Sequence, residues 1–199
     1  MGTLLYDWGG LNVRLFHIIN DVHAAWFDAF MQLGTQVGGQ ANFPVYLALI
    51  AVCGYALAAR AREVARSDDV VAWLSVLAVF SVGYVFEGQL IGLLKPWLDF
   101  PRPPLALPEG TLHIVGQAEF HHSLPSGHSA FAMLLAASLW PVAMRPARAG
   151  LAVFVLWVGV SRISLGAHFP ADVLAGFALS LAVVWLLQAI MELIGRGLR

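Results

Sequence analysis

Five long apolar runs separate the polar stretches of this chain, and they restrict it to folds that a lipid bilayer can accommodate. Hydrophobic residues make up 59% of the 199 positions and charged residues only 12%, whereas about a quarter of a typical soluble domain is charged. The sequence therefore predicts an all-α integral membrane helical bundle of about five to six spans.

The limits of the predicted spans are set by charged and turn-forming residues at the ends of each run. The spans are residues 42–59, 70–94, 128–144, 148–164 and 171–194. At a rise of about 1.5 Å per residue, helices of this length cross a hydrocarbon core about 30 Å thick with modest adjustment. The third and fourth spans form a predicted hairpin that turns at Met144 to Arg148. One domain, residues 1–199, is expected, with its catalytic bundle at 42–194.

Residues 11–37 have a different pattern, with apolar side chains at steps of three and four and polar side chains on the other face. The apolar stripe consists of Leu11, Leu15, Ile18, Val22, Trp26, Phe30, Leu33 and Val37. A span with so polar a second face is costly, so we predict an N-terminal amphipathic helix that lies in the membrane interface. The alternative is a sixth span whose polar face packs inward.

Basic residues predict the orientation of the bundle. Arg60, Arg62, Arg66, Arg145, Arg148, Arg196 and Arg199 all fall on one side of the predicted topology. The positive-inside tendency makes this side cytoplasmic.

Three polar motifs fall at the opposite, outer side, where an apolar chain would otherwise avoid charge. Lys95 precedes Arg102 and Pro103; residues 125–128 read Pro-Ser-Gly-His; and Ser161-Arg162 precedes His168 and Asp172. Each motif lies at the end of a predicted span. The helices therefore bring one cationic pocket together at one membrane surface.

The residue types in this pocket suit phosphate chemistry. Lys95, Arg102 and Arg162 can neutralise phosphate oxygens and the charge that builds in a phosphoryl-transfer transition state. Ser126 and Gly127 lie at the predicted start of a helix, where free backbone N–H groups favour an anion. Ser126 can also cap the helix or donate its hydroxyl.

The two histidines of the motifs have complementary predicted roles. Neutral His168 can attack phosphorus, while Asp172 fixes the ring's tautomer and stabilises its developing positive charge. His128 can then protonate the leaving oxygen.

Written as K-x6-RP, PSGH and SR-x5-H-x3-D, the three motifs resemble the tripartite signature of the type 2 phosphatidic acid phosphatase family. The resemblance implies a phosphohistidine at His168 that water hydrolyses, with His128 and Asp172 as its catalytic partners. It also implies phosphate binding by Lys95, Arg102, Ser126, Gly127 and Arg162, with no metal or other cofactor.

The family includes lipid phosphatases, glucose-6-phosphatases and soluble haloperoxidases, and the predicted spans favour the first. In size, short loops and N-terminal segment the chain is most similar to small bacterial members that dephosphorylate undecaprenyl pyrophosphate. This similarity implies a multi-pass protein of the bacterial inner membrane with its active site facing the periplasm or outside. Its partners would be a lipid phosphate and the bilayer, with no nucleic acid.

Other substrates and one other class of function stay open at the level of sequence. Phosphatidylglycerophosphate, phosphatidic acid and lipid A phosphate are alternatives, as is transfer of the phosphoryl group to another lipid. A non-catalytic lipid-binding module would use the same cationic pocket without turnover.

Glu87 either pairs with Lys95 or bonds to a neighbouring helix. The outer-loop histidines His113, His121 and His122 match no standard zinc spacing and are interpreted as loop residues.

Overall fold

The computed structural model describes residues 4–60 and 63–197, and these form helices joined by turns and loops, with no strand among them. The helices are α1 (Leu4–Asp7), α2 (Leu11–Asn20), α3 (Ala25–Val37), α4 (Phe43–Arg60), α5 (Glu63–Leu98), α6 (Pro103–Ala106), α7 (Gly127–Leu139), α8 (Arg145–Ser164) and α9 (Pro170–Gly197). The predicted all-α membrane bundle is confirmed.

Four segments of the described chain are long and apolar enough to cross a membrane. They are Gln40–Arg60, Asp68–Ala106, Arg145–Ser164 and Pro170–Gly195. They contain four of the five predicted spans, and the fourth and fifth spans agree with α8 and α9 to within a few residues.

The remaining predicted span, 128–144, is shorter than expected because α7 ends at Leu139 after 13 residues. Pro141 has no N–H to donate to the Ala137 carbonyl four residues earlier, and that carbonyl accepts from Trp140 at 3.3 Å instead. The predicted hairpin turn consequently begins earlier, at Trp140, and α8 already starts at Arg145. Most of the α7 side chains are buried, so α7 is the centre of the bundle, packed by α5, α8 and α9.

The single amphipathic helix predicted over 11–37 is two helices, α2 and α3, separated at residues 21–24. Asn20 explains the break, because its buried side chain bonds the outer loop and the end of α8 instead of facing solvent. Its Nδ2 donates to the carbonyls of His113 (2.7 Å) and Ser164 (2.8 Å), and its Oδ1 accepts from the His113 N–H (2.9 Å).

Part of the polar face turns toward the bundle, where α2 and α3 both pack on α8. Asn12 and Asn20 are buried there, whereas Arg14, Asp21 and His23 are exposed. Much of the apolar stripe faces outward, including Ile18, Trp26 and Leu33, which are half or more exposed. This face is available to lipid, and its position in the membrane interface stays a prediction.

The arginines that predict the orientation of the bundle lie, where the structure describes them, at the end away from the motifs. Arg145 and Arg162 lie at opposite ends of α8, and Arg60 lines a cavity with Met144 and Ala147 beside the start of α8. Arg66 and Arg196 belong to α5 and α9. Arg62 and Arg199 lie outside the described residues.

The two sides of the bundle have separate apolar cores. Phe80, Phe131, Leu134 and Val184 join α5, α7 and α9 in the larger one. Phe16 joins α2 to Ile163, Phe169 and Val173 in the second, which lies directly beneath the motif residues. The N-terminal segment is therefore packed into the bundle.

A glycine sets the spacing between α7 and α9 at the start of the PSGH helix. A Cβ on Gly176 would lie 2.6 Å from the Ser126 carbonyl oxygen and 3.1 Å from the Ala130 nitrogen. Both neighbours are backbone atoms, so they cannot move aside as a flexible side chain would. The close approach of these helices therefore depends on the absence of a side chain at Gly176.

We predict that Gly176→Ala destabilises the protein by about 1–3 kcal/mol, because the added methyl group forces α7 and α9 apart. Gly88→Ala is the matched control, since a Cβ at that helical glycine meets no atom within 4 Å. Thermal unfolding in detergent, followed by size-exclusion chromatography of the surviving folded fraction, measures both. Equal midpoints for the two variants would contradict the packing role of Gly176.

Candidate active site

The structure brings the three motifs together at one end of the bundle, on the ends of successive helices. Lys95 lies in the last turn of α5, Arg102 immediately precedes α6, and Ser126 immediately precedes α7. Arg162 lies in the last turn of α8 and Asp172 in the first turn of α9. Helix ends leave backbone groups unpaired, so this arrangement gathers polar groups where chemistry can use them.

A tight turn between α8 and α9 fixes His168 relative to Arg162. The backbone N–H groups of Ala167 and His168 both donate to the Arg162 carbonyl, at 3.0 and 3.1 Å. Gly166 has a φ of 76°, which a residue with a side chain rarely adopts. The turn therefore directs the His168 ring inward, where only 2% of the residue is exposed.

His168 and Asp172 form a buried pair. His168 Nδ1 lies 3.4 Å from Asp172 Oδ2, and Asp172 has no exposed surface. The same Oδ2 accepts from the Ser123 hydroxyl (2.5 Å) and the Phe169 N–H (2.8 Å). Oδ1 accepts from the Tyr6 hydroxyl at 2.9 Å. These donors satisfy a carboxylate that would be costly to bury unpaired.

Arg102 fixes the other side of the His168 ring. Its Nη1 lies 3.3 Å from His168 Nε2, its Nε donates to the His121 carbonyl at 2.9 Å, and its Nη2 bonds Glu119 Oε2 at 2.6 Å. A guanidinium only donates, so Nε2 must accept. The proton of the neutral ring is thereby assigned to Nδ1, facing Asp172, and the lone pair of Nε2 faces the arginine.

Arg162 is held from the N-terminal segment, with hydrogen-bonding capacity left over. Its Nη1 donates to the hydroxyl of Thr35 on α3, while its buried Nε has no partner among the described residues. A bound anion could satisfy that donor.

A cavity of about 420 Å³ opens between α3, the outer loop and these residues. It is lined by Arg102, His128 and Arg162 together with polar side chains that include Gln32 and Gln36. A second cavity of about 580 Å³ lies elsewhere in the bundle, beside Trp140 and Gln188, and is lined almost wholly by apolar side chains. Only the first is lined by charged residues of the motifs.

The PSGH segment differs in one respect from expectation. Ser126 precedes α7 but makes no side-chain cap, so the capping role weighed for it is wrong. Its hydroxyl instead accepts from Ser129 (3.0 Å), and its N–H donates to the Asp172 carbonyl (3.0 Å). A Cβ on Gly127 would lie 3.3 Å from the side-chain amide nitrogen of Gln40, so α7 begins close to the turn between α3 and α4.

Of the two alternatives for Glu87, the structure shows the bond to a neighbouring helix. Ser180 donates to Glu87 Oε2 at 2.6 Å, and its oxygen also lies 2.7 Å from the Ala130 carbonyl. Two side chains and one backbone carbonyl thus join α5, α7 and α9 below the site.

His113 is separated from the other two loop histidines. His113 Nε2 lies 3.0 Å from Asp28 Oδ2, whereas His121 and His122 lie near Asp99. Among residues 4–60 and 63–197, no group of three or more His, Cys, Asp or Glu side chains is placed to hold a metal ion.

Residues 71–196, which include all three motifs, match the family model of the PAP2 superfamily. The chain belongs to this family. Lipid A 1-phosphatase of Rhizobium johnstonii is 34% identical over 128 residues, which cover 63% of this chain and 50% of the relative. Phosphatidylglycerophosphatase B of Bacillus subtilis is 34% identical over 120 residues, with 52% of each protein covered. The chain spans about half the length of the curated relatives it matches.

Two solved PAP2-family structures share the fold. LpxE of Aquifex aeolicus has a TM-score of 0.69 at 22% identity, with 90% of this chain and 95% of that chain covered. The PAP2 type phosphatidylglycerolphosphate phosphatase of Bacillus subtilis has a TM-score of 0.66 at 23% identity, with 94% and 88% covered. The likeness extends to the N-terminal helices, which precede the residues that match the PAP2 model.

Sequence reasoning missed four residues that contact the motif side chains: Tyr6, Thr35, Glu119 and Ser123. Ser123 lies two residues before the PSGH motif, so its proximity could have been inferred. Tyr6 and Thr35 precede the PAP2 match and contact residues 166 and 127 positions away. No local pattern indicates such pairs.

We predict that His168 stays neutral at pH values where an ordinary histidine is already protonated. Burial lowers the pKa of His168 to about 4, the charges of Arg102 and Arg162 act in the same direction, and Asp172 opposes them. Between pH about 4 and about 6.5 the unfolded chain binds a proton that the folded ring does not, so the free energy of unfolding rises with pH in this window.

A titration of ¹⁵N-labelled histidine by NMR in detergent tests this pKa, with the His168 signals assigned from His168→Asn. A midpoint near pH 4 is expected. A midpoint at or above about 6.5, the value of an unperturbed histidine, would show that burial does not dominate.

Proposed function

We propose that this PAP2-family chain is a membrane phosphatase that removes phosphate from a lipid phosphate or diphosphate through a phosphohistidine at His168. The observation that carries the proposal is the orientation of the His168 ring. Asp172 faces Nδ1 at 3.4 Å while Arg102 faces Nε2 at 3.3 Å. The ring nitrogen that would attack phosphorus, Nε2, is thus the one that the phosphate-binding cation Arg102 contacts.

In the first step, His168 Nε2 attacks phosphorus, a P–N bond forms and the bond from phosphorus to the lipid oxygen breaks. Positive charge develops on the ring and is stabilised by the Asp172 carboxylate through Nδ1–H. The leaving oxygen takes a proton from His128, which lines the same cavity as Arg102 and Arg162. The negative charge of the bound phosphate favours a proton on His128, so the acid is charged when the leaving oxygen needs a proton.

In the second step, water attacks the phosphohistidine, the P–N bond breaks and inorganic phosphate leaves. His128, now neutral, accepts the proton of the attacking water and returns to its starting state. Nε2 recovers its lone pair, so the enzyme is regenerated without a co-reactant.

The cations bind and stabilise the phosphoryl group. Arg162 offers its unpartnered Nε, and Arg102 lies against the attacking nitrogen. Lys95 acts with them as a point charge, and the Gly127 N–H offers an anion site at the start of α7. The Ser126 hydroxyl, which accepts from Ser129, can donate its own proton to the same phosphate. Preorganised donors of this kind supply most of the catalysis in phosphoryl transfer.

The proposed substrate is amphiphilic. The polar cavity can take a headgroup while the exposed apolar faces of the bundle keep the lipid tail in hydrocarbon. Undecaprenyl pyrophosphate is the finer proposal, supported by the resemblance to small bacterial members. The names of the matched relatives favour lipid A and phosphatidylglycerophosphate as its competitors.

We further propose that residues 1–199 act as one unit in a bacterial inner membrane, with the site facing the periplasm or outside. The separation of Arg60, Arg145 and Arg148 from the motifs supports this orientation under the positive-inside tendency. The contacts of Tyr6 and Thr35 with the motif residues support a single unit.

Phosphate release by the purified protein tests the activity. Undecaprenyl pyrophosphate, phosphatidylglycerophosphate, phosphatidic acid and lipid A are compared in detergent. We expect His168→Ala to lower turnover by at least about a thousandfold on every lipid that the wild type cleaves, because the nucleophile is lost. His17→Ala is the control, since this histidine lies on α2 beside Asp21 and outside the site.

The pattern of turnover decides the proposal. The fastest lipid identifies the substrate class, and a His17→Ala variant with wild-type turnover shows that the preparation is sound. Full activity in His168→Ala would contradict the phosphohistidine mechanism, and no release from any lipid by the wild type would contradict the substrate class.

A further inference from the structure

The carboxylate of Asp172 has two oxygens with different tasks. Oδ2 faces His168 and also accepts from Ser123 and Phe169. Oδ1 accepts from the hydroxyl of Tyr6 at 2.9 Å. Tyr6 is thus the donor that fixes the oxygen turned away from the histidine.

Tyr6 is held in this position by aromatic contacts. Its ring lies 4.3 Å from that of Phe100 and 6.2 Å from that of Phe169, the latter edge-on. Phe100 also accepts a backbone bond from Ser123 (2.9 Å), the second hydroxyl donor to Asp172. The loop before Arg102 and the first helix of the chain therefore support the same carboxylate.

The hydroxyl of Tyr6 remains a donor at all ordinary pH values. Burial raises the pKa of Tyr6, and the negative charge of Asp172 raises it further. Tyr6 therefore stabilises the carboxylate as an anion without exchanging a proton with it.

We propose that Tyr6 is a positioning residue for catalysis: its hydrogen bond to Oδ1 prevents rotation of the Asp172 carboxylate and so keeps Oδ2 on His168 Nδ1. This inference rests on the proposed function of His168 as nucleophile. Without Tyr6, Oδ1 would be a buried acceptor with no donor from residues 4–60 or 63–197, and the carboxylate would turn to find one. The ring would then lose its acceptor at Nδ1, and the Nδ1–H tautomer would depend on Arg102 at Nε2.

Tyr6→Phe tests this with little structural disturbance, because phenylalanine keeps the ring contacts and removes only the hydroxyl. We expect kcat to fall about tenfold with KM unchanged, since a bond to a charged group is lost and no substrate contact is touched. Tyr46→Phe is the matched control. It also removes a 2.9 Å hydroxyl bond, to the Val37 carbonyl, at a place outside the site.

A second readout separates positioning from loss of structure. In ¹⁵N-histidine spectra in detergent, wild type and Tyr46→Phe should show the Nδ1–H tautomer of His168 alone. Tyr6→Phe should show a mixture with the Nε2–H form. The tautomer comparison needs no substrate, so it decides the role of Tyr6 even if the wild type cleaves none of the lipids tested.

Three results would overturn the proposal. One is a kcat of Tyr6→Phe within twofold of the wild type. Another is an unchanged His168 tautomer, whatever the rate. The last is an equal fall in kcat for Tyr46→Phe, which would show that loss of any buried hydroxyl loosens the bundle.

Discussion

The carboxylate of Asp172 is buried completely, and the geometry around it depends on donors that come from three parts of the chain. The carboxylate is surrounded by Tyr6, Ser123, Phe169 and His168. The backbone carbonyl of Asp172 accepts from the Ser126 N–H. An unpaired carboxylate at this depth would be unstable. Satisfying it therefore fixes the N-terminal helix, the outer loop and the starts of α7 and α9 relative to one another, and these carry most of the motif residues.

The helices beneath the site keep these groups in fixed positions relative to one another. Gly176 allows α9 to approach the backbone of α7, and Ser180 connects both helices to Glu87 on α5. The turn after α8 then places His168 through two bonds to the Arg162 carbonyl. The proposed nucleophile and the proposed phosphate-binding guanidinium are consequently held in place by the folded chain itself, as electrostatic catalysis requires.

Apolar runs and local motifs were enough to predict the bundle and the meeting of its motif residues, because both depend on short stretches of sequence. The end of α7 lies earlier than predicted because Pro141 has no N–H to continue the helix, and hydropathy alone does not show this effect. The break between α2 and α3 depends on bonds from Asn20 to His113 and Ser164, far along the chain. Tyr6 and Thr35 were missed for the same reason, since long-range pairing leaves no periodic pattern in sequence.

The phosphoryl group that we propose on His168 can be trapped directly. The protein would be mixed with ³²P-labelled lipid phosphate, quenched in alkali within milliseconds, digested and mapped by mass spectrometry. We expect a label on His168 that is stable to base and lost in mild acid. A label on Ser123, Ser126 or Asp172 instead, or turnover with no labelled protein at any time, would contradict it.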